Sequence, residues 1–285
     1  MTALLLAICC LAPDSVWFQA HRGSIDEAPE NTLAALRHAW AVPGAVPEVD
    51  LRTTADGHLV CIHDETPART TSAPPEWRDR PIPEIPLETL RAWDAGAWFD
   101  AASSGERVPT LAEVFGLLRA EPARRLYLDL KAVDLDALER QIREAGVLEQ
   151  LLFVHGDPAM CGTLSARFPG TRTMTWLSGP VPSVQTRFHA LAAEGFPGIG
   201  QIQLHLQARR GTPIRYVMDE AFLREAVAAA RQHGVDLQVR PFRFDGPSLR
   251  GLLDLGIRWF VADAPQAFGA ALAEARALQL AATAP

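Results

Sequence analysis

Residues 20–64 run AHRGSIDEAPENTLAALRHAWAVPGAVPEVDLRTTADGHLVCIHD and bring His21, Arg22, Glu48, Asp50 and His63 into one short stretch. Two histidines, an arginine and two alternating carboxylates are the parts that metal-assisted phosphate ester chemistry needs. Glu48 and Asp50 are two residues apart, so on a strand they share a face, while Val49 and Leu51 take the other. Neighbouring carboxylates repel unless a cation compensates them, and an all-oxygen pair suits a hard divalent cation such as Mg²⁺ or Ca²⁺. The segment RLYLDLK repeats the pattern: Leu126, Leu128 and Leu130 face one way, and Tyr127, Asp129 and Lys131 the other. Asp129 is then a third candidate metal ligand. Lys131 is a cation for a phosphate oxygen or a neighbouring carboxylate. Histidines on opposite sides of a phosphate can serve as general base and general acid. Arg22 offers a planar donor fork matched to phosphate oxygens.

These side chains need strand ends to hold them. Short apolar runs that read as strands are Val16–His21, Val46–Arg52, Leu126–Lys131, Leu151–His155, Arg172–Trp176, Ile199–Gln203, Val235–Arg240 and Arg258–Val261. Helical patterns fall between them, near 31–41, 110–120, 134–146, 157–167, 183–194, 219–232, 247–255 and 265–277. Asn31 or Thr32 caps the first, and Thr110 in TLAE has capping-box spacing. Eight strands alternating with helices predict a TIM-type (β/α)8 barrel in a single domain over 16–285. The rival, a doubly wound open sheet, lacks a GxGxxG turn after its first strand. Residues 64–109 break the rhythm with prolines and turn residues and read as a small insertion after the second strand. Trp77, Trp93, Trp98 and Phe99 within it either wall a pocket or build a satellite core.

A chain of 285 residues with 48% hydrophobic and 21% charged residues has the composition of an ordinary globular enzyme. Its net charge of −7 leaves no overall basic footprint for nucleic acid or anionic lipid. An anionic small-molecule substrate must therefore meet a local positive site. Cys9, Cys10, Cys61 and Cys161 match no zinc spacing and read as inert thiols. Residues 3–12 have the length of a signal-peptide apolar core without a basic segment before it, so 1–15 reads equally as an export signal or a disordered start. The compartment, periplasmic or extracellular against cytoplasmic, stays open, as does the oligomeric state. No run is long and apolar enough for a transmembrane helix.

AHRG, APENT, PEVDLRTTADG and HD, followed by ARTT, WDAGAWFD, GERVPTLAEV and LYLDLK, resemble the glycerophosphodiester phosphodiesterase family over residues 20–131. The resemblance implies a TIM-type barrel with a small subdomain after the second strand. It implies one divalent cation, Mg²⁺ or Ca²⁺, and hydrolysis of a glycerophosphodiester to glycerol 3-phosphate and an alcohol. By motif, His21 and His63 match the acid/base pair, Glu48, Asp50 and Asp129 the metal ligands, and Arg22 and Lys131 the phosphate-side cations. Two departures stand out. The family usually has Glu where Asp129 stands, and it reads V-W-T-V-N where this chain has VRPFRFD. By parity Gln238, Arg240 and Phe242 share a face, making Arg240 a candidate for an anionic group on the substrate or a site carboxylate. Asp263, in VADAP, is expected to cap the last helix. Two other functions fit the same residues: a phospholipase D-like enzyme on lysophospholipids or sphingolipids, and a catalytically silent metal- or phosphate-binding module.

Overall fold

The computed structural model describes residues 15–283; the apolar run at 3–12 and Cys9 and Cys10 lie outside them. In chain order the elements are β1 (Trp17–Ala20), α1 (Leu33–Trp40), β2 (Ala45–Thr53), β3 (Leu59–Cys61), α2 (Pro75–Arg78), α3 (Leu87–Ala92), α4 (Leu111–Arg119), β4 (Leu126–Ala132), α5 (Leu135–Ala145) and β5 (Leu151–Val154). There follow α6 (Pro158–Arg167), β6 (Arg172–Leu177), α7 (Val181–Ala193), β7 (Gln201–Leu206), α8 (Glu220–Gln232), β8 (Asp236–Pro241), α9 (Gly246–Asp254), β9 (Trp259–Ala262) and α10 (Pro265–Thr283).

The strands hydrogen-bond in the order β1-β9-β8-β7-β6-β5-β4-β2-β3, and β1 also pairs with β2. Eight strands thus close into the expected barrel, and β3 pairs antiparallel with β2 at Leu51–Thr53. All eight barrel strands overlap apolar runs read from the sequence, although β7 runs three residues past the expected Ile199–Gln203. β3 was missed because a strand of three residues carries too little alternation to register.

Contacts divide the chain into two compact units. The first comprises Gln19–His155 and Ala262–Gln266. In it β2 and β4 run parallel with Glu48 opposite Tyr127 and Asp50 opposite Asp129. Both strands are buried over almost their whole length, so their apolar residues must pack on one side and their acids be enclosed on the other. The helix-facing set includes Val49, Leu51, Leu128 and Leu130, with Leu36, Val114 and Phe115 also excluded from water. Thr110 and Glu113 form the predicted capping box on α4, and Glu113 also accepts a 2.9 Å hydrogen bond from Arg91 Nη2 on α3.

Val60 of β3 and the residues between β3 and α4 form their own apolar cluster, with Ile62, Ile82, Ile85, Leu90, Trp93 and Val108. Trp77 packs against it, 5.9 Å from Trp93, so these two tryptophans are core. Trp98 is 37% exposed with Phe99 edge-on to it at 5.8 Å, so the second aromatic pair faces solvent. Of the four aromatics, Trp77 and Trp93 thus take the satellite-core role.

The second unit comprises Gly156–Val261 with residues 15–18 and 267–283. Aromatic packing dominates it: Phe188 meets Phe196 at 5.5 Å and Phe222 at 5.6 Å, and Phe268 meets Phe18 at 4.8 Å and Phe260 at 5.5 Å. On the face shared by Gln203 and His205, polar groups are chained together. His205 Nε2 lies 2.9 Å from Gln203 Oε1, Gln203 Nε2 donates to Gln238 Oε1 at 2.7 Å, and Gln238 Nε2 donates to the Phe260 carbonyl at 3.1 Å. Buried amides are kept by such mutual satisfaction. Cys61 and Cys161 are buried free thiols, and burial pushes the Cys161 thiol up to about 12, consistent with inert groups. Among the described residues no helix is long and apolar enough to cross a membrane.

The turn after β1 positions the chemistry. Arg22 (φ 51°) and Gly23 (φ 84°) are both left-handed, and Asn31 (φ 58°) repeats that conformation where the loop returns. Non-glycine residues in this region carry strain that the surrounding contacts must hold. A Cβ on Gly23 would stand 2.8 Å from Ala35 Cβ on α1. Gly23→Ala is expected to destabilise the fold by about 1–3 kcal/mol, read as a lower midpoint in urea unfolding. An unchanged midpoint would show that the turn has room to relax.

Candidate active site

Glu48, Asp50 and Asp129 converge as the strand register requires, each offering a ligand oxygen within 4.8 Å of the others. They are 1%, 1% and 8% exposed, so their charges are withheld from water. Burial, then the neighbouring Asp50 and Asp129 carboxylates, raises Glu48 well above the usual carboxylate range. Burial and the charge of Asp50 push Asp129 up to about 6. Burial works against ionised Asp50 too, but Lys131, His63, Arg22 and the Asn31 hydrogen bond outweigh it and hold Asp50 below its ordinary value. Lys131 donates to Asp129 Oδ2 at 2.6 Å and lies 3.2 Å from Asp50 Oδ1.

Glu48 Oε1 and Asp129 Oδ1 are buried with no hydrogen-bond partner. A buried carboxylate oxygen without a donor is costly, and two from neighbouring strands in one cluster fit a cation as the missing partner. The donor set is all oxygen, as hard divalent ions prefer. These three residues could hold one.

The turn after β1 fastens the cluster. Arg22 donates its backbone N–H to Glu48 Oε2 at 2.7 Å, which its left-handed conformation makes possible. Its side chain donates through Nη1 to Glu30 Oε1 at 2.9 Å, while Nε stands 3.6 Å from Asp50 Oδ2. Asn31 grips Asp50 twice, donating from Nδ2 to Oδ2 at 2.8 Å and accepting from the Asp50 N–H at 2.9 Å. Thr32, not Asn31, caps α1 by accepting from Ala35 N at 3.2 Å. The sequence left that choice open because both residues cap well; the tertiary contact with Asp50 claims Asn31.

Each histidine is backed by an aspartate. His21 Nδ1 lies 2.7 Å from Asp263 Oδ1, and His63 Nδ1 lies 2.8 Å from Asp64 Oδ1. A carboxylate at Nδ1 favours the N–H on that nitrogen, so Nε2 is the ring nitrogen able to accept or give a proton. Asp263, expected to cap the last helix, is the carboxylate partner of His21. Arg69 makes paired hydrogen bonds to Asp64 (2.7 and 2.9 Å) and to Glu30 (2.7 and 2.7 Å), so Arg22, Glu30, Arg69, Asp64 and His63 form one chain of charges. The Arg69 hydrogen bonds hold Asp64 far below the usual carboxylate range. Glu30, Asn31, Asp64, Arg69 and Asp263 all lie in motifs visible in the sequence, yet Glu30, Asp64 and Arg69 had no role there, and Asn31 and Asp263 were read only as helix caps. Some of their partners are distant along the chain, Arg69 from Glu30 by 39 positions and Asp263 from His21 by 242.

His21, His63, Arg22, Glu48, Asp50, Asp129 and Lys131 therefore all belong to the first unit. Arg240 belongs to the second, at the end of β8 beside His205 in register, with its guanidinium 5.0 Å from the centre of the Phe242 ring.

The model of the glycerophosphoryl diester phosphodiesterase family matches residues 21–267. The chain belongs to that family. A glycerophosphodiester phosphodiesterase of Caldanaerobacter subterraneus is 43% identical over 99 residues, 35% of this chain and 39% of that protein. One from Bacillus subtilis is 31% identical over 157 residues, 52% of this chain and 51% of its own. The chain thus spans between two fifths and about half of these relatives' lengths. Structural similarity extends further. The glycerophosphodiester phosphodiesterase of Agrobacterium tumefaciens superposes with a TM-score of 0.70 at 26% identity, covering 90% of this chain and 99% of that one. An Oleispira antarctica phosphodiesterase, solved with the product sn-glycerol-3-phosphate, gives 0.64 at 25% identity over 90% and 96%.

Asp263→Asn keeps the shape of the His21 contact and removes its charge. On this geometry it is expected to lower kcat on the order of 10–100-fold, the worth of one charge-assisted hydrogen bond, with less effect on KM. A kcat within twofold of wild type would limit Asp263 to a structural role.

Proposed function

We propose that this chain hydrolyses glycerophosphodiesters to glycerol 3-phosphate and an alcohol, using one divalent cation, Mg²⁺ or Ca²⁺, and the His21/His63 pair. The observation that carries the reading is the buried carboxylate cluster, with two unpartnered oxygens, lying in one compact unit with two aspartate-backed histidines. The family supports the bond that is cleaved, and the product seen in the Oleispira relative supports the glycerol 3-phosphate side.

Glu48, Asp50 and Asp129 would hold the cation. Bound there, it supplies Lewis acidity toward a phosphoryl oxygen and makes an oxygen nucleophile more acidic. Lys131 and Arg22 already neutralise the surrounding carboxylates, and their donors stabilise charge that develops on the phosphoryl oxygens. One histidine takes the proton of the nucleophile through Nε2, and the other returns a proton to the departing alkoxide. The nucleophile is water or a hydroxyl of the substrate itself, and only the second leaves a cyclic phosphate.

Arg240 enters the proposal as a binder of anionic substrate. Arg240→Ala is expected to raise KM for glycerophosphodiesters carrying an extra negative charge more than for glycerophosphocholine. Equal kinetics on both would remove that role.

The test is a panel of glycerophosphodiesters and lysophospholipids offered to chelator-treated protein resupplied with Mg²⁺ or Ca²⁺, with products identified by mass. Glycerol 3-phosphate that appears only with a cation supports the proposal. A lysophospholipid that loses its head-group alcohol, with all glycerophosphodiesters intact, assigns the site to the phospholipase D-like reaction. No turnover with either cation assigns it to a binding module.

A further inference from the structure

A second feature lies at the ends of β7 and β8 and owes nothing to the carboxylate cluster. Between β7 and α8, residues 207–218 read QARRGTPIRYVM, with three arginines and no acid in a chain of net charge −7. They fold back as an antiparallel pair: Ala208 bridges Tyr216, Arg209 N donates to the Arg215 carbonyl at 2.7 Å, and Val217 N to the Gln207 carbonyl at 2.8 Å. The side chain of Arg209 braces the turn by donating from Nε to the Tyr216 carbonyl at 3.2 Å. Tyr216 ties it to the next loop, its hydroxyl donating to the Arg243 carbonyl at 3.0 Å. This places Arg209, Arg210 and Arg215 on the same structure as Arg243, all four exposed. Among the described residues none of the four has a carboxylate within ion-pair distance. The nearest acids in sequence, Asp219 and Asp245, spend their carboxylates capping α8 and α9, and Glu220 faces Arg224 at 3.9 Å.

Apolar side chains are interleaved with this charge. Val217 is 45% exposed and Phe242 41%, although Phe242 is held in place by Arg240 and by the edge of His205 at 5.4 Å. A cleft of about 420 Å³ opens beneath the hairpin, with Arg209, Arg215, Tyr216 and Ser248 on its walls. Exposed arginines mixed with an exposed aromatic and aliphatic residues suit an interface that is anionic at its surface and apolar just below it. Nucleic acid would reward the arginines but not Val217.

We propose that the 207–218 hairpin, with Phe242 and Arg243, docks the protein on anionic phospholipid. The arginines contact the head groups, and Phe242 and Val217 enter the boundary beneath them.

The test is co-sedimentation of the full chain, without substrate, with vesicles of phosphatidylcholine alone and of phosphatidylcholine mixed with phosphatidylglycerol. Because no turnover is read, the result is separate from that of the hydrolysis assay. Capture is expected on the mixed vesicles only, and it should fall as salt is added. Each arginine near an anionic surface is worth about fivefold, so Arg210→Ala with Arg215→Ala should weaken capture roughly 25-fold. Phe242→Ser should weaken it by a salt-independent factor. Circular dichroism and melting of the variants confirm the fold, and the salt titration needs no variant. Equal capture on both vesicles, no capture, or variants that bind as wild type overturns the proposal. Retention on single-stranded nucleic acid without vesicle capture also overturns it and reassigns the arginines.

Discussion

Alanine in place of His21 or His63 is expected to lower kcat on glycerophosphodiesters by about 10²–10⁴-fold, the usual worth of a positioned proton donor or acceptor. Both histidines present an aspartate-oriented ring, so both losses should be large. The double variant should lose little beyond the more damaging single change, because a step that lacks its base gains little from its acid. The variants also separate the two roles. With a substrate whose leaving group needs no protonation, such as a nitrophenyl ester, only the variant lacking the base should remain impaired. The general-acid variant should recover most of its rate. Equal impairment of both variants on that substrate would count against a division of labour, and a single change that leaves kcat within tenfold would remove that histidine from the chemistry.

The second large effect lies in the pH dependence of the chelated protein. Asp129 has an ordinary value of 3.8, pushed to about 6 in the folded chain by burial and by the Asp50 charge. Between roughly pH 4 and 6 the folded state therefore keeps a proton that the unfolded chain releases. Stability from this group falls as pH rises through that window, and above it the loss is complete. Glu48, also raised, acts in the same direction; Asp50, lowered, acts in the opposite one. The comparison is thus between wild type and Asp129→Asn, both chelated, as melting temperature against pH. Asp129→Asn should gain on wild type as pH rises from 4 to 6 and hold that gain at pH 7. Mg²⁺ or Ca²⁺ should reverse the order. At one hundred times its dissociation constant a ligand adds about 2.7 kcal/mol to the wild type. The variant, without one of three ligands, should gain far less. The metal effect should also fade toward pH 4, where protons compete for the same oxygens. A wild type that gains stability relative to Asp129→Asn over that window, with no response to either ion, would falsify the cluster as a cation site.

Much of the fold was legible because its signals are local. Each barrel strand is a short apolar run bounded by turn residues, and helices such as α4 and α5 begin at capping residues the eye can find, Thr110 and Asp134. The acids of β2 and β4 were legible for the same reason, since alternation alone puts Glu48 and Asp50 on the face opposite Val49 and Leu51. What hid was short or shared. β3 is too brief to show a period. The aromatics between β3 and α4 look alike in sequence, yet Trp93 is core and Trp98 is not, because only three-dimensional packing decides which ring is covered.

The sequence by itself determined which residues are candidates for the chemistry: histidines, an arginine and acids in ordered motifs, with periodicity enough to place Glu48 and Asp50 on one face of their strand. Only the tertiary structure decided who holds whom. It turned Asn31 from a helix cap into a clamp on Asp50 and brought Asp263 from the far end of the chain to His21. It joined Glu30 through Arg69 to Asp64 and tied the arginine-bearing hairpin to the Arg243 carbonyl through Tyr216. Hydrogen bonds and ion pairs act over a few ångströms of space whatever the separation along the chain, so no local pattern can announce them.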